Sequence, residues 1–223
     1  RASVEQKLRN ADRDIESLFF ESLVPLSPEW QMSVAGRYDD YSDWGSDFSP
    51  KLSLRWRASD RFLVRASYGE GFRAPELYID TIEYEESIGA TTTDPASCEA
   101  TGQSVGCWFQ YLSFFTVSPA LSSETSEQYS VGMAWQPADW ISLTTDYYDI
   151  TVKDNIVNYS SESVLFAEQN GEGLPPGLSV ARGTDGLLLS ITSGWGNYGL
   201  VETSGIDFNA KLNFNIAGGR LSS

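Results

Sequence analysis

The amino-acid sequence predicts an all-β protein: a transmembrane antiparallel up-and-down β-barrel segment of about seven to eight strands with long extracellular loops. Three observations carry that prediction. Apolar residues recur with a period of two rather than 3.6. The connections between the periodic stretches are alternately tight and open to expansion, as the two rims of an outer-membrane barrel are. The large aromatics collect at strand ends instead of being mixed through a core.

Along the chain, Ser17 to Pro25 is a first and less regular strand. From Trp30 the pattern is clean, with Trp30, Met32, Val34, Gly36 and Tyr38 on one face and Gln31, Ser33, Ala35, Arg37 and Asp39 on the other. The same alternation returns at Leu52, Leu54, Trp56; at Phe62, Val64, Ala66, Tyr68; at Tyr129, Val131, Met133, Trp135; at Ile141, Leu143, Thr145, Tyr147; and at Ile206, Phe208, Ala210, Leu212, Phe214. An eighth strand starts at Arg220. The stretches 30–41, 126–136 and 140–150 reach the roughly 9–11 residues that a tilted membrane strand needs. Short turns fall at Ser27-Pro28-Glu29, Ala58-Ser59-Asp60, Pro137-Ala138-Asp139 and Ala217-Gly218-Gly219. Between them lie a modest connection at Ser42 to Phe48 and two very long ones, about 72–124 and 155–198. Trp30, Trp56, Trp135 and Trp140 flank the short turns, while Tyr38, Tyr41, Trp44, Tyr68 and Tyr129 lie toward the loop ends, giving two girdles with a smaller, aliphatic band between.

Composition narrows the function. Among 223 residues there are 15 basic and 31 acidic side chains, a net charge of -16, and no histidine. The missing histidine removes Ser-His-Asp and Cys-His nucleophile pairs, and an acidic chain with few lysines argues against nucleic-acid binding. Hydrophobic residues at 41% and aromatics at 13% exclude a disordered tail. No apolar run is long enough for a membrane helix, and the opening Arg1-Ala2-Ser3 reads as the interior of something longer. Cys98 and Cys107 are spaced for neither a CxxC redox pair nor a zinc knuckle; a disulfide closing a surface loop is expected, two unrelated thiols being the alternative.

Several motifs reduce to ordinary readings. Gly194-Trp195-Gly196-Asn197-Tyr198-Gly199 matches a dinucleotide fingerprint in letters, but the next stretch, Glu202 to Phe214, has period two instead of opening a helix, so the motif reads as re-entry from loop to strand. Asp39 and Asp40 are strand neighbours pointing to opposite faces and cannot converge on one bond. After Arg73 the 72–124 connection holds no Lys or Arg, but acids including Asp80, Glu83, Glu85, Glu86, Asp94, Glu99 and Glu124, both cysteines, and Trp108, Phe109, Tyr111, Phe114 and Phe115. It reads either as a ligand-contacting surface or as a lid packed on itself, and Trp108, Phe109, Tyr111, Trp195 and Tyr198 are the candidate ligand-loop residues. Arg37, Arg55, Arg57 and Arg65 fall on the polar face and must look into a wet or protein-filled lumen.

Tyr68-Gly69-Glu70-Gly71-Phe72-Arg73-Ala74-Pro75-Glu76-Leu77 closely resembles a segment in the barrels of TonB-dependent outer-membrane receptors. Phe19 to Leu26, Gly36 to Ser42, Ser49 to Leu52, Glu124-Thr125-Ser126-Glu127-Gln128-Tyr129 and Thr203 to Asp207 agree with the family in the same order. The resemblance implies part of a 22-stranded type of barrel with a plugged lumen, in the outer membrane of a Gram-negative bacterium. On that basis residues 1–223 are part of one barrel domain, with plug and C-terminal strands absent. The implied function is active import of a scarce ligand, a siderophore, a cobalamin-like cofactor or an oligosaccharide, without catalysis and with no cofactor. The implied partners are outer-membrane lipid, the plug of the same full-length chain, the TonB complex reached through the missing N-terminal part, and the small-molecule or oligosaccharide ligand. The alternatives are a small outer-membrane anchor or adhesin barrel, and a soluble secreted carbohydrate-binding β-protein.

Overall fold

A computed structural model describes residues 3–104, 106–216 and 219–222. In chain order the elements are β1 (Ser3–Leu8), β2 (Ile15–Pro25), β3 (Trp30–Tyr41), β4 (Gly45–Ser59), β5 (Phe62–Arg73), α1 (Leu77–Thr81), β6 (Ile82–Thr93), α2 (Pro95–Ala100), β7 (Trp108–Val117), β8 (Glu124–Ala138), β9 (Ile141–Lys153), β10 (Ile156–Tyr159), α3 (Ser161–Gln169), β11 (Ser179–Arg182), β12 (Leu188–Asn197), β13 (Val201–Ile216) and β14 (Gly219–Ser222). They divide into two compact units: a meander unit of Asp14–Arg73, Thr125–Lys153 and Leu200–Ser223, and a connection unit of Arg1–Arg13, Ala74–Glu124 and Asp154–Gly199.

The meander unit is an eight-stranded sheet in the order β14-β13-β9-β8-β5-β4-β3-β2. Seven of its strands are long, from 11 residues in β2 to 16 in β13, against the roughly 5–6 usual in globular sheets. Register places like faces together: Trp30 opposite Trp56, Val34 opposite Leu52, Tyr38 opposite Phe48, Val131 opposite Tyr147 and Ile206 opposite Tyr147. Trp30 and Trp56 stack with ring centroids 5.6 Å apart. Yet this apolar face covers nothing. Ile206 is 74% and Phe208 69% exposed, and the buried apolar side chains of the described residues all belong to the connection unit. A sheet with long strands, one greasy face and no core of its own is a membrane wall rather than a sandwich half.

One expectation changes. The connection at Ser42 to Phe48 is a tight turn, because pairing continues out to Tyr41 opposite Gly45, where Gly45 takes the left-handed conformation at φ 78°. The turn at Ala217-Gly218-Gly219 falls partly outside the described residues. β14 then begins the eighth strand, pairing with β13.

The two long connections fold together, along with Ser3–Leu8, which showed no period in the sequence. β1, β6, β7, β12 and β10 form a sheet in that order, with β11 on β12. It is not antiparallel throughout: β7 and β12 run parallel, Ser190 opposite Leu112 to Trp195 opposite Val117. Tyr111, Val164, Leu165, Leu178, Leu188 and Ile191 form the core beneath this sheet. α3 supplies two of them, its first turn capped by Ser160 accepting from the Ser163 N–H at 3.2 Å.

Candidate functional site

Within the connection unit, sequence order is overridden by a polar cross-brace. Asp94 caps α2 by accepting from the Ser97 N–H at 3.1 Å and Ser97 Oγ at 2.5 Å. Its side chain is fully buried. Arg182, from β11, donates to both Asp94 oxygens, at 2.7 and 3.2 Å, and to both Glu168 oxygens on α3, at 2.8 and 2.9 Å. Gln169 adds a donor to Asp94 at 3.0 Å. Burial by itself would raise the Asp94 carboxyl, but the hydrogen bonds from Arg182 and Ser97 outweigh it and hold it down at about 2. The same fork raises the Arg182 guanidinium, Glu168 contributing first and Asp94 second. Beside this brace Cys98 and Cys107 are joined by a disulfide, S–S 2.01 Å, with their Cα atoms 5.8 Å apart.

Two further side chains bind one connection to the other. Asn197 accepts from the Ser122 N–H at 2.7 Å and donates to the carbonyls of Ser122 at 2.8 Å and Asp154 at 2.6 Å. Glu124 accepts from Asn155 Nδ2 at 3.0 Å and the Ile156 N–H at 2.6 Å. Arg182 did not stand out in the sequence, and Asn197 appeared there only as a letter of the Gly194 to Gly199 motif, since Asp94, Ser122 and Asp154 lie tens of residues from them.

The candidate ligand-loop residues separate. Trp108 is 71% exposed, and Phe109 is half-buried. Trp195 donates from Nε1 to the Tyr78 hydroxyl at 3.2 Å. Tyr111 is a correction: it is buried in the core and presents no surface to a ligand. Tyr198 is partly buried, packing against that core and edge-on to Tyr159 at 4.6 Å, with its hydroxyl buried and burial pushing its pKa up. A separate cleft of about 370 Å³ is lined by Glu85, Glu86 and Glu162 with Ser113, Ser161 and Ser193 among its walls. Among the described residues no cluster of Cys, Asp and Glu is arranged to hold a metal ion.

On the polar face of the meander unit, Arg37 donates through Nε to both oxygens of Asp39 at 2.8 Å and through Nη2 to Ser17 at 3.1 Å. Arg65 makes a two-pronged pair with Asp146 at 2.9 and 2.7 Å. This pair reaches across β8 because position 132 is glycine: a β-carbon there would fall on Asp146 Oδ1. Arg55 and Arg57 have no carboxylate partner among the described residues. Arg55 and Arg65 line a cavity of about 590 Å³ with Lys51, Asp146, Tyr148 and Asp207.

The two most distinctive sequence segments meet here. Tyr68 to Arg73 lie on β5, and Glu124 to Tyr129 open β8, its neighbour in the sheet. A β-carbon at Gly71 would stand 2.8 Å from Ser126 Oγ and one at Gly69 3.3 Å from Gln128 Nε2, so the glycines make room for the facing segment. Arg73 ends the strand, Ala74 is buried, and the carbonyl of Pro75 accepts from Arg13 at 2.8 Å.

Comparison with known proteins agrees with this geometry. The chain is 27% identical over 144 residues to the ferric enterobactin receptor PirA of Pseudomonas aeruginosa, covering 65% of this chain and 18% of that protein. It is 25% identical over 160 residues to the vitamin B12 transporter BtuB of Vibrio cholerae, covering 69% and 24%. The crystal structure of the siderophore receptor PirA from Acinetobacter baumannii superposes with a TM-score of 0.64 at 17% identity, over 92% of this chain and 26% of that one, a likeness of fold. The chain thus spans about a quarter or less of the length of these three proteins. A family model for the TonB dependent receptor-like β-barrel matches residues 4–222, and the chain belongs to that family.

Proposed function

We propose that residues 1–223 form part of the wall and ligand-facing surface of an active importer, both units lying within one barrel domain. The protein resides in the outer membrane of a Gram-negative bacterium, and its family is one of receptors and transporters rather than enzymes. The observation that carries the proposal is the pairing of a core-less, two-faced sheet with a separately cored unit built from its two long connections. In this reading the meander is anchored by lipid, a plug from the same full-length chain occupies the lumen, and the TonB complex supplies the energy.

Relatives named for ferric enterobactin and vitamin B12 support a bulky, scarce ligand of siderophore or cobalamin-like class, with an oligosaccharide as the third candidate. Each described cation of the connection unit is already ion-paired: Lys7 with Glu83, Arg9 and Arg13 with Asp80, Arg182 with Asp94 and Glu168. Capture by this unit therefore rests on Trp108 and on the serine- and carboxylate-lined cleft rather than on free positive charge. The test is uptake by cells carrying or lacking the full-length gene, with ferric siderophores, cobalamin and labelled oligosaccharides. Energy-dependent uptake of one class, lost in the deletion strain, is expected. Gene-independent uptake of all three would overturn the proposal.

A further inference from the structure

The serine-lined cleft of the connection unit has a neighbour. A second cleft, of about 620 Å³, shares Asn158 and Glu162 with it, so the two adjoin at the start of α3. Each is within the size range of small-molecule sites.

The hydroxyls of the first cleft have a fixed polarity. Ser193 donates to the Phe114 carbonyl, 3.2 Å away, which can only accept. Ser161 donates to Ser193 at 3.3 Å. Its single hydrogen is then engaged, so Ser113, 3.3 Å from Ser161, must donate to it. The relay ends at Ser113 Oγ, which has lone pairs but no hydrogen left to offer a ligand.

Carboxylates add further acceptors. From Ala74 to Glu124 and from Asp154 to Gly199 the sequence has 13 acidic side chains and one basic, Arg182, which is engaged by Asp94 and Glu168. Exposed Glu162 lines both clefts and exposed Glu172 the second. No Lys or Arg is among the described lining residues of either. The positive end of α3 opens here, but Glu162 already occupies its first turn. A ferric catecholate, anionic and rich in acceptors, would meet like charge and facing lone pairs.

This lining therefore favours a donor-rich ligand, either hydroxylated or ammonium-bearing. The aromatic side chains decide between them. An ammonium cage needs ring faces converging on one point, whereas Phe115 lines the first cleft and Tyr159 and Phe166 the second. Phe166 is 64% exposed. Apolar surface thus recurs from cleft to cleft between hydrogen-bond acceptors, as C–H faces recur between hydroxyls along a sugar chain.

We infer that the two clefts bind an uncharged oligosaccharide, its hydroxyls donating to Ser113, Glu162 and Glu172 and one sugar ring lying on Phe166. The inference rests on the importer reading and selects the sugar among its three ligand classes.

Isothermal titration of the full-length receptor, in a detergent without a sugar headgroup, tests this. The probes are maltohexaose, cellohexaose, xylohexaose and mannohexaose, beside ferric enterobactin and cyanocobalamin. At least one hexasaccharide should bind, about tenfold more weakly in Phe166→Ala and severalfold more weakly in Ser113→Ala. Phe166 is outside the core, so its truncation leaves the fold intact. Silence of every hexasaccharide, saccharide binding that neither substitution weakens, or ferric enterobactin or cyanocobalamin bound in their place overturns the inference. Uptake by cells separates the two claims. Energy-dependent uptake of cobalamin or a ferric siderophore alone defeats the sugar assignment and leaves the importer reading standing. A hexasaccharide that binds but is not taken up defeats the importer reading alone.

Discussion

Replacing Arg182 by methionine should loosen the connection unit while leaving the meander intact. Arg182 supplies four charge-assisted hydrogen bonds, two to Asp94 and two to Glu168. Glu168, about a third exposed, can turn to water; Asp94, wholly buried, cannot. In Arg182→Met the Asp94 carboxylate keeps only the neutral donors Ser97 and Gln169. Removing one partner of a buried pair costs about 3–5 kcal/mol, because the other charge stays desolvated and unpaired. Methionine roughly preserves the aliphatic stem, so little of this comes from lost packing. Hydrogen exchange of the full-length receptor in detergent provides the assay. At every 1.4 kcal/mol per tenfold, amides of α2, α3 and β11 should exchange more than about a hundredfold faster, and those of β3 and β4 at an unchanged rate. Adding Asp94→Asn should recover most of the loss by removing the stranded charge. Exchange in Arg182→Met within about threefold of the parent would refute the reasoning, since water must then reach Asp94.

Acid should act on the same brace. The folded carboxyl sits at about 2, below the ~3.9 of an unfolded aspartate. Its contribution is thus complete above about pH 4 and disappears as pH falls toward 2, a loss that near-UV circular dichroism should register and that Asp94→Asn should abolish. Gly132→Val places atoms where Asp146 lies and should cost about 1–3 kcal/mol through displacement and crowding, read from the urea midpoint in detergent; an unchanged midpoint would show that Asp146 has another route to Arg65. Val131→Arg, in the middle of the apolar face, should destabilise by roughly 2–4 kcal/mol, with the adjacent inward Ser130→Arg far milder; equal effects would contradict the assignment of faces. Denatured, unreduced protein should titrate no free thiol, and Cys98→Ser should lower the connection unit's stability by about 2–3 kcal/mol.

The meander was legible because its information is local. Trp30 to Tyr38, Leu52 to Trp56 and Tyr129 to Trp135 each announce a two-faced strand through their own side chains, and strand count and order follow from pairing neighbours. The connection unit was not, for the opposite reason. β7 pairs with β12 about eighty positions later, and β1 with β6 at a similar distance, so nothing near Trp108 or Ser3 indicates its partner. Tyr111 illustrates the limit: an aromatic in an acidic loop has the same composition whether it faces a ligand or a core, and only the arrival of α3 and β12 decides. Gly71 and Gly132 are intermediate cases, visible as glycines but explained only by Ser126 and Asp146 across the sheet.

The parallel pairing of β7 with β12 makes the two connections a single heritable module. Exchanging either one alone for a foreign loop would leave the remaining strand paired on one side only, and would separate Arg182 from Asp94 and Asn197 from Ser122. If the connection unit contacts ligand as proposed, a change of ligand choice by recombination would move both together, with β8 and β9 carried between them. Point changes at exposed positions such as Trp108 or along the serine-lined cleft remain open without that cost, and under the proposed function drift in recognition should concentrate there.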